Sequence, residues 1–207
     1  GALDPQEVLL PAASLAMYAR HDMSPSPSAP RAADDGRLST LVADLFQAHA
    51  DRMLGAALRV TGSLQDAEDV LQGVFVRLVQ RPESLADLRG PDAGPYLHRA
   101  AVNAALDLLR SRARRPLADI GAAESMEPAG EAVEAALLHD ALADGLRAGL
   151  AGLHPRAAEM VTLRYLEELS NQEVAARTGS SESTVAVTLH RARQTLRERL
   201  SPKGGRV

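Results

Sequence analysis

Helix stop and start signals crowd together between residues 163 and 199, and few local structures accommodate them. Leu169, Val174 and Ala175 give one short apolar face. Ser170 followed three residues later by Glu173 fits a capping box, in which the hydroxyl takes a free amide and the carboxylate reaches back to the cap. Gly179 tolerates the positive φ that ends a helix. Ser181 can cap a second helix, whose Val185, Leu189, Ala192 and Leu196 recur at spacings of three and four. Arg191, Arg193, Arg197 and Arg199 ride on it. The stretch predicts a helix-turn-helix, the arrangement with which a protein presents a helix to a DNA major groove. An ordinary helical hairpin with a basic solvated face satisfies the same pattern, so the motif alone leaves both readings open.

The rest of the chain points to helix as well. Hydrophobic residues make up 45% of the 207, but aromatics only 2%, so any core is built from Leu, Val and Ala. Ala and Leu favour helix, and no segment sustains a period of two. The expectation is an all-α protein. Cysteine is absent, which excludes disulfides, thiolate catalysis and Cys-ligated zinc and fits a reducing cytoplasm. No apolar run reaches the length of a membrane span. The net charge of −4 argues against a uniformly basic binder, yet it hides two basic patches. Residues 96–115 carry Arg99, Arg110, Arg112, Arg114 and Arg115 against Asp107, and residues 188–207 carry Arg191, Arg193, Arg197, Arg199, Lys203 and Arg206 against Glu198. Two local nucleic-acid contacts are implied, with acidic surface left for another partner.

Two helical domains, 38–115 and 132–207, are expected, joined by a flexible acidic linker at 116–131 that contains Pro and Gly. Residues 1–37 read as an unstructured extension, because the Ser-Pro alternation at 24–30 cannot sustain a helix. Met23 is a candidate start, which makes 1–22 a leader or an expression remnant, and the lack of an n-region charge argues against a secretory signal. In the first domain Leu41, Val42, Leu45, Phe46, His49, Met53, Leu54, Ala57 and Leu58 mark one helical face, ended by Thr61-Gly62. Ser63 with Asp66 caps a second helix that buries Ala67, Val70, Leu71, Val74, Phe75 and Leu78 and shows Asp66, Glu68, Asp69 and Gln72 to solvent. Residues 81–94 read as a loop, and 96–112 as a third helix.

Asp66-Ala67-Glu68-Asp69-Val70-Leu71-Gln72-Gly73-Val74-Phe75 closely resembles region 2.2 of bacterial extracytoplasmic-function (group IV) sigma factors of the sigma-70 family. Tyr96-Leu97-His98-Arg99 through Asn103 to Arg110 resembles regions 2.3 and 2.4, and Leu163-Arg164-Tyr165 through Arg193 resembles region 4. The resemblance implies a transcription-initiation factor with no active site, metal or cofactor, the polymerase doing the chemistry. Its implied partners are core RNA polymerase (β′ clamp and β flap), promoter DNA and an anti-sigma factor, with no membrane contact of its own. It implies that Asp66, Glu68, Asp69 and Gln72 meet basic side chains of the β′ coiled coil through charge-assisted bonds, with Phe75 in register as part of the same contact. Tyr96, Arg99, Asn103 and Arg110 would face the melted −10 strand, with Arg112, Arg114 and Arg115 on phosphate. Tyr96 stands where the family usually has Trp, and a core role closing the bundle competes with stacking. Arg164, Ser181, Ser183, Thr184, Thr188 and Arg191 would meet the −35 element. The chain departs from the family at Ala186 and Thr188, where cations are usual, and at Gly73, where Glu is usual.

Three rival functions are compatible with parts of this pattern. A sigma-factor mimic would sequester an anti-sigma factor without initiating transcription. A two-domain regulator would dimerise on a palindrome and leave the 66–75 pattern unexplained. An enzyme would need pairing among the six histidines or a phosphate loop, and the chain has neither.

Overall fold

The computed structural model describes residues 29–81, 88, 90, 92–114 and 130–200. Seven α-helices and one π-helical turn account for the described elements, in the order α1 (Ala29–Thr61), α2 (Leu64–Gln80), α3 (Ala93–Arg114), α4 (Gly130–Ala151), α5 (Pro155–Val161), the π turn (Thr162–Leu166), α6 (Asn171–Thr178) and α7 (Glu182–Leu200). Residues 115–129, which hold most of the expected linker, the extension up to residue 28, residues 82–87, 89 and 91, and residues 201–207 lie outside the described residues, whereas Gly130 and Glu131, expected in the linker, begin α4.

Local chemistry places most of the boundaries. Gly62, at φ +71°, turns the chain out of α1. Ser63 then caps α2, its hydroxyl accepting the Asp66 amide at 3.3 Å. Two boundaries differ from the sequence pattern. α1 starts at Ala29 rather than at 38, because Pro30 sits in the first turn, where its missing N–H forfeits no helical bond. α3 starts at Ala93, so Gly94 and Pro95 belong to its first turn and not to the preceding loop.

Both helical units are present, and they share a core. One apolar cluster lies within α1–α3 and contains Val42, Leu45, Met53, Leu71, Val74, Phe75, Leu78, Leu97 and Ala101. The other starts at Ala56, Ala57 and Val60 of α1 and Ala67 and Val70 of α2. It runs through Val102, Ala105, Leu106 and Leu109 of α3, then crosses into the second unit at Leu150, Leu153, Ala158, Met160 and Leu163. It ends among Val174, Val185, Leu189, Ala192 and Leu196. The alanines let helices approach closely, which suits a core that has few aromatics. The four predicted inward positions of α7 are all buried.

Candidate nucleic-acid interface

The acidic end of α2 divides into a buried and an exposed part. Asp66 is only 6% exposed, and both of its carboxylate oxygens are held by the Arg112 guanidinium at 2.5 Å. The expectation that Asp66 faces solvent is therefore corrected: α3 brings Arg112 over it, and a fork-to-fork pair replaces hydration. The bond to Asp66 raises the Arg112 pKa. Arg112 itself is thereby engaged inside the chain. Phe75 is also corrected. It is fully buried and meets Phe46 edge-on with ring centroids 5.1 Å apart, so it is a core residue rather than a docking contact. Asp69 and Gln72 are exposed and Glu68 is half-buried. A side chain at Gly73 would meet open space.

α3 buries Leu97, His98, Ala101, Val102, Ala105, Leu106 and Leu109. On its polar side the predicted strand-facing residues already have partners from the second unit. Arg99 pairs with Glu159 of α5, and the Asn103 side-chain amide donates to Glu159 Oε1 at 3.0 Å. Arg110 donates to Asp107 Oδ1 at 2.7 Å and reaches the Pro155 carbonyl at 3.5 Å. Arg114 is exposed. Tyr96 is 49% exposed, which removes the core role and leaves its ring face open to stacking.

A second carboxylate, Glu167, sits beside this group. Arg59 Nε donates to Glu167 Oε1 at 2.8 Å and Arg59 Nη2 to Oε2 at 2.6 Å. His98 Nε2 lies 2.7 Å from the same Oε2, and Arg177 Nη1 lies 3.1 Å from His98 Nδ1. A guanidinium cannot accept a hydrogen bond. His98 Nδ1 is therefore the acceptor, and Nε2 carries the proton toward Glu167. Burial pushes the Glu167 pKa up, but the bonds from His98 and Arg59 outweigh it and hold the carboxyl at about 2. Sequence reasoning missed Glu159, Glu167, His98, Arg59 and Arg177. One signal was available: Glu159 interrupts the apolar run Ala157, Ala158, Met160, Val161, and an acid in such a run is seldom buried without a partner.

The helix-turn-helix forms as its signals predict. The Ser170–Glu173 capping box is complete, with Ser170 N donating to Glu173 Oε2 at 2.8 Å and Glu173 N donating to Ser170 Oγ at 3.2 Å. Gly179 takes φ +62°. Arg156 of α5 ties down the turn by donating to the Thr178 carbonyl and to Ser180 Oγ. Ser181 Oγ accepts the Thr184 amide at 3.2 Å and lies 3.0 Å from Ser183 Oγ and 2.7 Å from Thr184 Oγ1. These three hydroxyls are exposed at the start of α7, where helix amides favour phosphate. Thr188 is half-buried instead, in a groove of about 350 Å³ that it lines with Gly152, His154, Arg156, Arg191 and Thr195. Ala186 and Val187 are the exposed residues beside it. Arg191 is exposed, and Arg164 stacks over Tyr165 at 5.6 Å from the ring centroid.

A capped helix-turn-helix packed on a three-helix unit, with basic side chains on both, defines a two-part helical DNA-binding protein. Residues 45–115 match the family Sigma-70 region 2, and residues 144–196 match the family Sigma-70, region 4. The ECF RNA polymerase sigma factor SigE of Mycolicibacterium smegmatis is 33% identical over 159 residues, which cover 76% of this chain and 61% of that protein. The RNA polymerase sigma-E factor of Streptomyces avermitilis is 34% identical over 155 residues, covering 74% of this chain and 81% of that protein. Among solved structures, CnrH in complex with the cytosolic domain of CnrY is 24% identical, with a TM-score of 0.47 over 79% of this chain and 89% of that one. The chain belongs to the extracytoplasmic-function group of the sigma-70 family, whose members are RNA polymerase sigma factors acting in transcription initiation. The mimic reading is not favoured.

Proposed function

We propose that this chain binds core RNA polymerase and directs it to promoters through two separate DNA contacts. The observation that carries the proposal is the pair of family matches, 45–115 and 144–196, one over the acidic α2 and basic α3 and the other over the capped helix-turn-helix. Asp69 and Gln72, exposed on α2 with Glu68 beside them, dock on the β′ clamp; the second unit sits on the β flap. Tyr96, Arg99, Asn103 and Arg110 hold the unpaired −10 strand, with Arg114 and Arg115 on phosphate. Ser181, Ser183 and Thr184 enter the −35 major groove while Arg164 and Arg191 anchor phosphate and Thr188 supports the helix from its groove. The chain acts in the cytoplasm, where the polymerase works, performs no chemistry itself, and is held in check by an anti-sigma protein.

The direct test is transcription by core polymerase with the chain added. Asp69→Arg combined with Gln72→Ala is expected to weaken polymerase binding by about tenfold or more, given the loss of charge-assisted bonds, with helicity unchanged by circular dichroism. Unchanged affinity removes α2 as the docking surface.

A further inference from the structure

We propose that Val187, on the outermost line of α7, reads the 5-methyl group of a thymine in the −35 element. The inference rests on the reading of α7 as the −35 recognition helix and names what that helix selects. Val185, Leu189, Ala192 and Leu196 are the buried residues of α7. Each has an exposed residue two positions before it: Ser183, Val187, His190 and Gln194. Two residues of helix turn a side chain through about 200°, so these four form the line that points directly away from the core. Arg191 lies on one side of that line and Arg193 and Arg197 on the other, all exposed. A helix laid in a major groove along this line sets its arginines toward the two phosphate walls and its centre toward the base edges.

The line changes character along its length. At its far end the Gln194 side-chain amide donates to Glu198 Oε1 at 3.2 Å, which places an acid where a phosphate would be repelled. The reading surface therefore ends before Gln194. At its near end the Ser183 hydroxyl lies 3.0 Å from Ser181 Oγ and belongs to the cap. Val187 stands between them, 50% exposed, with exposed Ala186 beside it. It belongs to neither apolar cluster, and a β-branched residue is a poorer helix former than Ala, so neither packing nor propensity accounts for it. Its isopropyl group offers no hydrogen bond to a phosphate or to a polar base edge. Of the groups that bases present in the major groove, the thymine methyl is the apolar one. Thr188, next along, also carries a methyl, but it is half-buried in the groove beside His154 and Arg156. With Ala186 and Thr188 where the family usually carries cations, no guanidinium competes at these positions for a guanine.

The experiment uses the full chain with core polymerase and duplex promoter fragments taken from a randomised library by their chain-dependent transcript starts. Each thymine of the upstream element is replaced in turn by uracil, which deletes the methyl and leaves every hydrogen-bonding group in place. Wild type is expected to lose about fourfold in affinity at one position, the worth of one buried methyl. Val187→Ala is expected to bind the thymine and uracil forms of that position equally well. Ala is the better helix former, so the variant keeps α7. Arg191→Ala, the control, should weaken both forms alike and preserve their ratio. A uracil penalty that survives Val187→Ala assigns the methyl contact to another residue and overturns the proposal. So does the absence of any uracil penalty on a fragment whose upstream element still governs binding. If scrambling the upstream element changes nothing, the −35 reading of α7 itself falls, and this proposal with it.

Discussion

α3 and α7 both carry arginines on a helix whose other side is apolar, yet their cations are placed in opposite ways. On α3, Arg99, Arg110 and Arg112 are paired with Glu159, Asp107 and Asp66. On α7, Arg191, Arg193, Arg197 and Arg199 are exposed. The first set contributes to holding the chain together before any DNA arrives. The second waits for it. Helical spacing identifies the polar face in both, but only the folded chain shows which face its own acids cover.

The contrast can be broken in several ways. The largest effect is expected at Phe75, which shares α2 with exposed Gln72. Phe75→Ala should cost about 3–5 kcal/mol in urea unfolding through loss of buried contacts and the cavity left behind, while Gln72→Ala should stay within about 0.5 kcal/mol. A small loss at Phe75 would return it to the docking surface. Arg112→Ala comes next. It leaves the Asp66 carboxylate in a nearly closed site without its partner, and about 2 kcal/mol is expected, moderated because Arg112 is itself half-exposed. Arg191→Ala should change stability by less than about 0.5 kcal/mol and instead flatten the salt dependence of DNA binding by about one charge. Arginines on α3 and α7 with equal stability costs would erase the distinction.

Acid pH sharpens the same comparison. The Glu167 carboxyl is lowered from 4.5 to about 2 by its bonds to His98 and Arg59, burial notwithstanding. A depressed carboxyl contributes stability that is fully present above the ordinary value and is lost as pH falls through the folded one. The contact between the two units should therefore weaken between about pH 4.5 and 2, read as the distance between labels on cysteines introduced at exposed Gln47 and Gln194, and Glu167→Gln should remove that part of the titration. The α7 arginines keep their charge throughout. A wild-type profile identical to that of Glu167→Gln would separate Glu167 from that contact.

Much of the fold was legible before the structure. The Ser63, Ser170 and Gly179 signals mark real boundaries, and the alternation of Val185, Leu189, Ala192 and Leu196 identifies the buried side of α7, because caps and helical period are local properties. Pro30 misled, since a proline reads as a breaker unless its place in the first turn is known. The site was legible by face and not by partner. Asp66 and Arg112 lie 46 positions apart, and Asn103 and Glu159 lie 56 apart; no helical period links them. Phe75 was assigned to two roles, core by its spacing and docking by family likeness, and packing against Phe46 decides for the core.

If this chain selects promoters for RNA polymerase, it must change where transcripts begin. The direct measurement is to map transcript 5′ ends from a randomised promoter library transcribed by core polymerase with and without the chain. A set of starts is expected that appears only with the chain and shares two upstream sequence elements, one for α3 and one for α7. Starts that are the same with and without it would contradict the claim.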